Sequence, residues 1–174
     1  MAKRILNMTA EEMTHATKSE LIEAIAGSEG RVLASETIGI TIPLLTDVTN
    51  AEFAASMGAD LILLNMFDVQ EPKIMALPEV EKEETVREVK RLTGRMVGIN
   101  LEPVEESYAS DNKETLWEMS AGRYATVENA IQAQKMGVDL IVLTGNPGNG
   151  VSNPAIISSL KAISEAVGEK IMLA

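Results

Sequence analysis

The chain has 174 residues, 45% of them hydrophobic and 24% charged, with no cysteine, one histidine and a formal net charge of -11. Its length and apolar content predict a single α/β-sized domain, 1–174, able to bury a sizeable core. The acidity argues against nucleic acid or an anionic membrane surface as partner. Absent cysteine removes disulfides and thiolate metal sites, and a lone His15 disfavours histidine-rich zinc sites and a Ser-His-Asp triad.

The N-terminal stretch "TAEEMTHATKSELIEAIAGSEG" carries two capping-box pairs, Thr9 with Glu12 and Thr17 with Glu20. It predicts a helical segment over 9–27, either one kinked helix or two short ones. Leu21, Ile22 and Ile25 are expected to face the core, and His15 falls near the break. "RVLASE" (31–36) is the first expected strand. "TNAEFAASMG" follows as a helix, opened by Thr49 with Glu52 and stopped at Gly58. "DLILLN" (60–65) reads as the second strand. "PEVEKEETVREVKRLTG" then places acids early, Lys90 and Arg91 late and Gly94 beyond, the order a helix dipole favours. Its "VEKEE" run is expected to be a solvated face.

"RMVGINLE" (95–102) is the third strand, and "TVENAIQAQKMG" a helix running from Thr126 to Gly137. "DLIVLT" (139–144) is the fourth strand. "NPAIISSLKAISEAVG" is a helix with Pro154 at its start and Ile156, Leu160, Ile163 and Val167 on one face. "KIMLA" (170–174) closes the series as a fifth strand. Short aliphatic strands alternating with helices predict βαβ units and a parallel sheet. There is also an internal echo, since "NAEFAASMGADLILLN" from Asn50 recurs in outline as "NAIQAQKMGVDLIVLT" from Asn129. Shared ancestry or a shared packing solution would each produce it.

The segments "MGADLILLN", "GINLEP" and "MGVDLIVLTGNPGNG" resemble aldolase-type TIM barrels, and within them the phosphoenolpyruvate mutase and isocitrate lyase relatives. The resemblance implies a helix before the first strand and acidic residues at strand ends. The metal-binding aspartate run of that superfamily is not recognisable here. The expected fold class is therefore α/β: a (β/α)8 TIM barrel, here its N-terminal five-strand portion, since a complete barrel needs roughly 200 residues or more. The alternative is a flavodoxin-like five-stranded sheet, which would normally carry a closing helix after its last strand.

In parallel βα folds, ligands bind at the carboxyl ends of strands. Reading those ends yields Ser35, Glu36 and Thr37, then Asn65 and Asp68, then Asn100 and Glu102, and finally Thr144 and Asn146. Glu36, Asp68 and Glu102 are candidate ligands for Mg²⁺, or Glu36 and Glu102 the source of a general base, with Asn65 and Asn100 as amide donors. Such residues could equally cap helices and satisfy loop backbone. Thr144, Gly145, Asn146, Gly148 and Gly150 form a loop whose amides could face a ligand, though it is neither a P-loop nor a Rossmann fingerprint. The long connection 102–126 holds Tyr108, Trp117, Tyr124 and Arg123. Arg123 is either an anion clamp or one half of an ion pair.

The sequence thus predicts an enzyme working on a small carboxylated or phosphorylated metabolite by a metal-assisted lyase or isomerase step. A non-catalytic barrel that binds a metabolite or partner is the alternative. No apolar run approaches the ~20 residues of a membrane helix, and the start lacks a signal-peptide core, so a cytoplasmic protein is expected. Two open sheet edges predict a homo-oligomer.

Overall fold

A computed structural model describes residues 3–105, 119–144 and 150–174. Five strands form one parallel sheet: β1 (Ala34–Ile38), β2 (Leu61–Asn65), β3 (Met96–Leu101), β4 (Leu140–Leu143) and β5 (Met172–Leu173). Their spatial order is β1-β2-β3-β4-β5, so every strand lies beside its sequence neighbour. That is the winding of a TIM barrel, here five consecutive strands of it. A flavodoxin-like sheet would place the second strand outside the first, and that alternative is excluded.

Helices α3 (Asn50–Ser56), α4 (Thr85–Thr93), α5 (Val127–Met136) and α6 (Asn153–Val167) connect the strands. They cover the outer face, where Ile62, Val97, Ile99 and Ile141 are fully buried against Val86, Ala130, Met136 and Ile163. Each such aliphatic burial contributes about 1.5–3 kcal/mol. The capping box at Thr49 is formed, as are those at Thr9 and Thr17.

The N-terminal helices α1 (Ala10–His15) and α2 (Lys18–Gly27) lie across the amino end of the sheet. Ile5, Met13, Leu21 and Ala24 pack there against Leu61, Met96 and Met172. Ser28 ties this plug together, accepting from the Ile5 amide at 3.0 Å and donating to Ala24 O at 2.8 Å. Ile22, expected in the core, is instead 46% exposed, because Leu21, Ala24 and the partly buried Ile25 form the face that packs into the plug.

The echoed units share one device at this end. Asp60 accepts from the Leu33 amide and Asp139 from the Val97 amide, each at 2.9 Å, and the backbone N–H of each aspartate donates back across the same pair of strands at 2.8 Å. The glycines before them, Gly58 at φ 101° and Gly137 at φ 90°, take the left-handed conformation that ends each helix. Arg95 Nε donates to Ala59 O at 2.7 Å, and Lys90 Nζ donates to Gly137 O at 3.3 Å and to Asp139 at 2.8 Å. Burial pushes the Asp139 carboxyl above the ordinary aspartate range, against the pull of Lys90 and of the Val97 amide.

Two element boundaries differ from expectation. The first strand begins at Ala34 rather than Arg31, because the apolar Val32 joins the plug. The polar "ASETI" can be a strand here since β1 is the sheet edge. Residues 78–81 are not helical; a 3-10 turn at Lys82–Glu84 leads into α4 instead. Among the described residues, no helix is long and apolar enough to cross a membrane.

Candidate functional site

Parallel register decides which strand residues look inward. Glu36 pairs with Leu63, Ile38 with Asn65, Leu63 with Gly98, and Asn100 with Val142. Registered residues share a face, and side chains alternate along a strand. Glu36, Asn65 and Asn100 therefore project from the same inner face, away from the covering helices. Glu102 and Thr144 continue that face one step further towards the carboxyl end. Ser35 and Thr37 turn to the opposite face, so they are not part of this group.

Three of the inward residues are joined. Asn65 Nδ2 donates to Glu36 Oε1 at 2.6 Å, and Asn100 Nδ2 approaches Asn65 Oδ1 at 3.4 Å. Asn65 Oδ1 also accepts from the Met66 amide at 2.8 Å, where the chain leaves β2 with Met66 at φ 56°. A non-glycine residue in that region stores strain, a feature that gathers near functional sites. Among the described residues, Asn100 Oδ1 and Thr144 Oγ1 are buried without a hydrogen-bond partner. Glu36 is exposed and borders a cleft of about 580 Å³ together with Thr37, Ile42, Asn50 and Phe53. Ile42 and Leu44, beside this cleft, are 85% and 76% exposed.

A second group holds the surrounding loops. The Glu102 amide donates to Arg123 O, and the Ala125 amide to Glu102 O, each at 2.9 Å. This short ladder brings the Arg123 guanidinium onto the Glu102 carboxylate, with both side chains largely buried. Asp68 Oδ1 accepts from the amides of Gln70 at 2.7 Å and Glu71 at 2.9 Å. Burial works against its ionisation. Hydrogen bonds from Ser120 and from those two amides, with the nearby Arg123 charge, outweigh it and hold the carboxyl below the ordinary value. Gly122 sits over this carboxylate, where a Cβ would overlap Asp68 Oδ1 and come within 2.8 Å of the Gln70 nitrogen.

Asn129, buried in the first turn of α5, completes the clamp. Its Nδ2 donates to Ala121 O at 2.8 Å and Tyr124 O at 2.9 Å, and its Oδ1 accepts from Gln70 Nε2 at 3.1 Å. Neither Asn129 nor Ser120 stood out as a site residue in the sequence. A polar side chain on the helix face that also carries Ala130 and Ala133 was the available signal.

These contacts bear on two expectations. Glu36, Asp68 and Glu102 do not assemble as a metal trio: Glu36 lies against Asn65, Asp68 is turned to loop amides, and Glu102 is paired with Arg123. Among the described residues, no three His, Asp or Glu side chains gather so as to hold a metal ion. The donor set described does not fit the expected Mg²⁺. Arg123 makes the ion pair that was one of its two expected roles. Of the glycine loop, Gly145, Asn146 and Gly148 lie outside the described residues, as do Tyr108 and Trp117. Gly150 is described, at φ 75°, with its carbonyl accepting from the Glu105 amide at 3.2 Å.

A family model matches residues 6–174. The chain belongs to the DUF7916 family, a domain of unknown function. No curated protein matches this DUF7916 chain. Among solved structures it is similar to a candidate alpha-N-acetylgalactosaminidase of Bacillus halodurans C-125, at 13% identity and a TM-score of 0.46, over 82% of this chain and 48% of that one. It is also similar to a D-psicose 3-epimerase, solved in the presence of D-fructose, at 16% identity and a TM-score of 0.43, over 71% of this chain and 44% of that one. The DUF7916 chain thus spans about half the length of both. Neither is a phosphoenolpyruvate mutase or an isocitrate lyase.

Proposed function

We propose that this DUF7916 chain is a TIM-barrel enzyme acting on a small metabolite by a lyase or isomerase step through an enolate-like intermediate. The observation that carries this reading is the linked array Glu36–Asn65–Asn100 on one face at the carboxyl ends of three adjacent strands. Glu36 takes a proton from carbon next to a carbonyl, and the electron pair moves to the carbonyl oxygen. The carboxamide N–H groups of Asn65 and Asn100 are the donors available to that oxygen. No step is routed through a metal, because the described carboxylates do not gather to hold one.

Replacing Glu36 by Gln keeps the side-chain shape and removes the base. Turnover of whatever substrate a metabolite panel identifies should fall by about 10²–10⁴, and deuterium exchange from solvent into that substrate should stop. Undiminished turnover in Glu36→Gln would sink the assignment. The second reading, a barrel that binds a metabolite without converting it, is favoured by the exposure of Glu36 on the edge strand, where water solvates the carboxylate. It predicts ligand-dependent thermal shifts with no product formed.

A further inference from the structure

Among the described residues, two buried oxygens at this site have no hydrogen bond to accept. Asn100 is only 6% exposed, and its Oδ1 has no partner among the described residues. Thr144 Oγ1 shares that condition on the neighbouring strand. Turning the Asn100 carboxamide over does not help, because it would set oxygen against Asn65 Oδ1, which now faces Nδ2 at 3.4 Å. Asn65 is itself fixed, its Nδ2 given to Glu36 and its Oδ1 held by the Met66 amide. The direction of the Asn100 oxygen is thus set by a chain that ends on backbone. A buried acceptor left unmade costs stability that an apolar side chain of similar shape would recover.

Charge restricts what could supply the missing donors. The inner-face positions of β1 to β4 include Glu36, and Glu102 follows on the same face; none of them is Lys or Arg. Arg123 is already matched by Glu102. An anion entering here would meet the Glu36 carboxylate, which no cation pairs among the described residues, whereas hydroxyl groups supply donors without charge. We propose that the site takes a neutral polyhydroxylated ligand, a sugar or sugar alcohol, with one hydroxyl donating to Asn100 Oδ1 and another to Thr144 Oγ1. Asn100 registers with Val142, so Thr144 stands diagonally across from it, roughly 7 Å away at the backbone. A ring-sized polyol spans that distance and a two-carbon diol does not. The substrate expected from sequence alone was anionic; the proposal replaces it, and for its location it rests on the reading of the inner face as the working site.

The test is a titration of the ¹⁵N-labelled full chain with glucose, sorbitol and myo-inositol, with malate and glycerol phosphate as anionic controls. The side-chain amide signals of Asn65 and Asn100 should move with the neutral polyols and stay still with the anions. Asn100→Leu should weaken polyol binding about tenfold while leaving the ligand-free fold as stable or more so. Thr144→Val gives a second, smaller loss and keeps the test intact should Asn100→Leu fail to fold. Binding confined to the anions overturns the proposal. So does polyol binding that neither variant weakens, or no polyol binding well above the millimolar range. Polyol binding with no turnover upholds this proposal and removes the catalytic reading. Glu36-dependent turnover of an acid alone does the reverse.

Discussion

The two ends of the sheet are built to different standards. At the amino end, Asp60 and Asp139 each receive an amide from the strand before, the helix-stop glycines precede them, and cations from Arg95 and Lys90 cover the carbonyls alongside. An apolar plug seals what remains. At the carboxyl end, Asn100 and Thr144 keep buried oxygens without partners among the described residues, and Glu36 stands exposed. The echoed units make the same contrast. They agree where they begin their strands, at Gly58 with Asp60 and Gly137 with Asp139, and differ where they finish them, at Asn65 and Thr144. Satisfied polar groups serve stability, and unsatisfied ones at the ligand-binding end of a barrel are where chemistry is sought.

If that division holds, the largest loss of stability comes from the amino end. Lys90 and Asp139 form an ion pair with side chains only 11% and 10% exposed. Lys90→Met should cost about 3–5 kcal/mol, because it leaves a carboxylate buried without its cation. Adding Asp139→Asn should return part of that. Urea unfolding of the three proteins measures both effects, and ligand binding by the folded fraction should be unchanged. A Lys90→Met chain as stable as the parent would erase the distinction between the ends.

At the carboxyl end, a hydrogen-bonded clamp joins the loop after β2 to the segment 119–125. Gly122→Ala is its sharpest probe, since the added methyl overlaps Asp68 Oδ1. Overpacking of this kind costs about 1–3 kcal/mol. Because the clamp frames the inner face, this variant should also weaken ligand binding, unlike Lys90→Met. Thermal unfolding alongside binding separates the two. A Gly122→Ala protein that binds normally would make the clamp a stability device like those at the other end.

The amino end was far more legible in the sequence than the carboxyl end. Capping boxes, helix-stop glycines and aliphatic runs are local signals, and they located all five strands and the caps at Thr9 and Thr17. Regular alternation also gave the parallel sheet, while the choice of barrel winding came from the family resemblance and the absent closing helix. Which strand-end residues face inward follows from register, and the sequence-level list of strand ends therefore mixed Ser35 and Thr37 with Glu36. Pairing across distance was hidden as well. Arg123 lies 21 residues from Glu102 in sequence, and a backbone ladder joins them. Asn129 acts as a bracket between two loops, a role no spacing announces.

The smallest effect, and the most direct comparison of the ends, is in acid. Asp68 at the carboxyl end titrates below the ordinary aspartate value of 3.8, and Asp139 at the amino end above it. A depressed carboxyl binds fewer protons folded than unfolded, so its contribution is present above 3.8 and is lost as pH falls through the folded value. A raised carboxyl binds more protons folded, so its contribution grows as pH falls from the folded value towards 3.8 and then levels off. Asp68→Asn should therefore flatten the loss of stability on the acid side of that value. Asp139→Asn should instead steepen the decline on its less acid side, because a compensating protonation has gone. Unfolding free energies at closely spaced pH values for the parent and both variants show whether the slopes change on opposite sides. Two variants shifting the curve in the same direction would mean that Lys90 and the Val97 amide, rather than burial, govern Asp139. The amino end would then owe its strength to charge pairing alone.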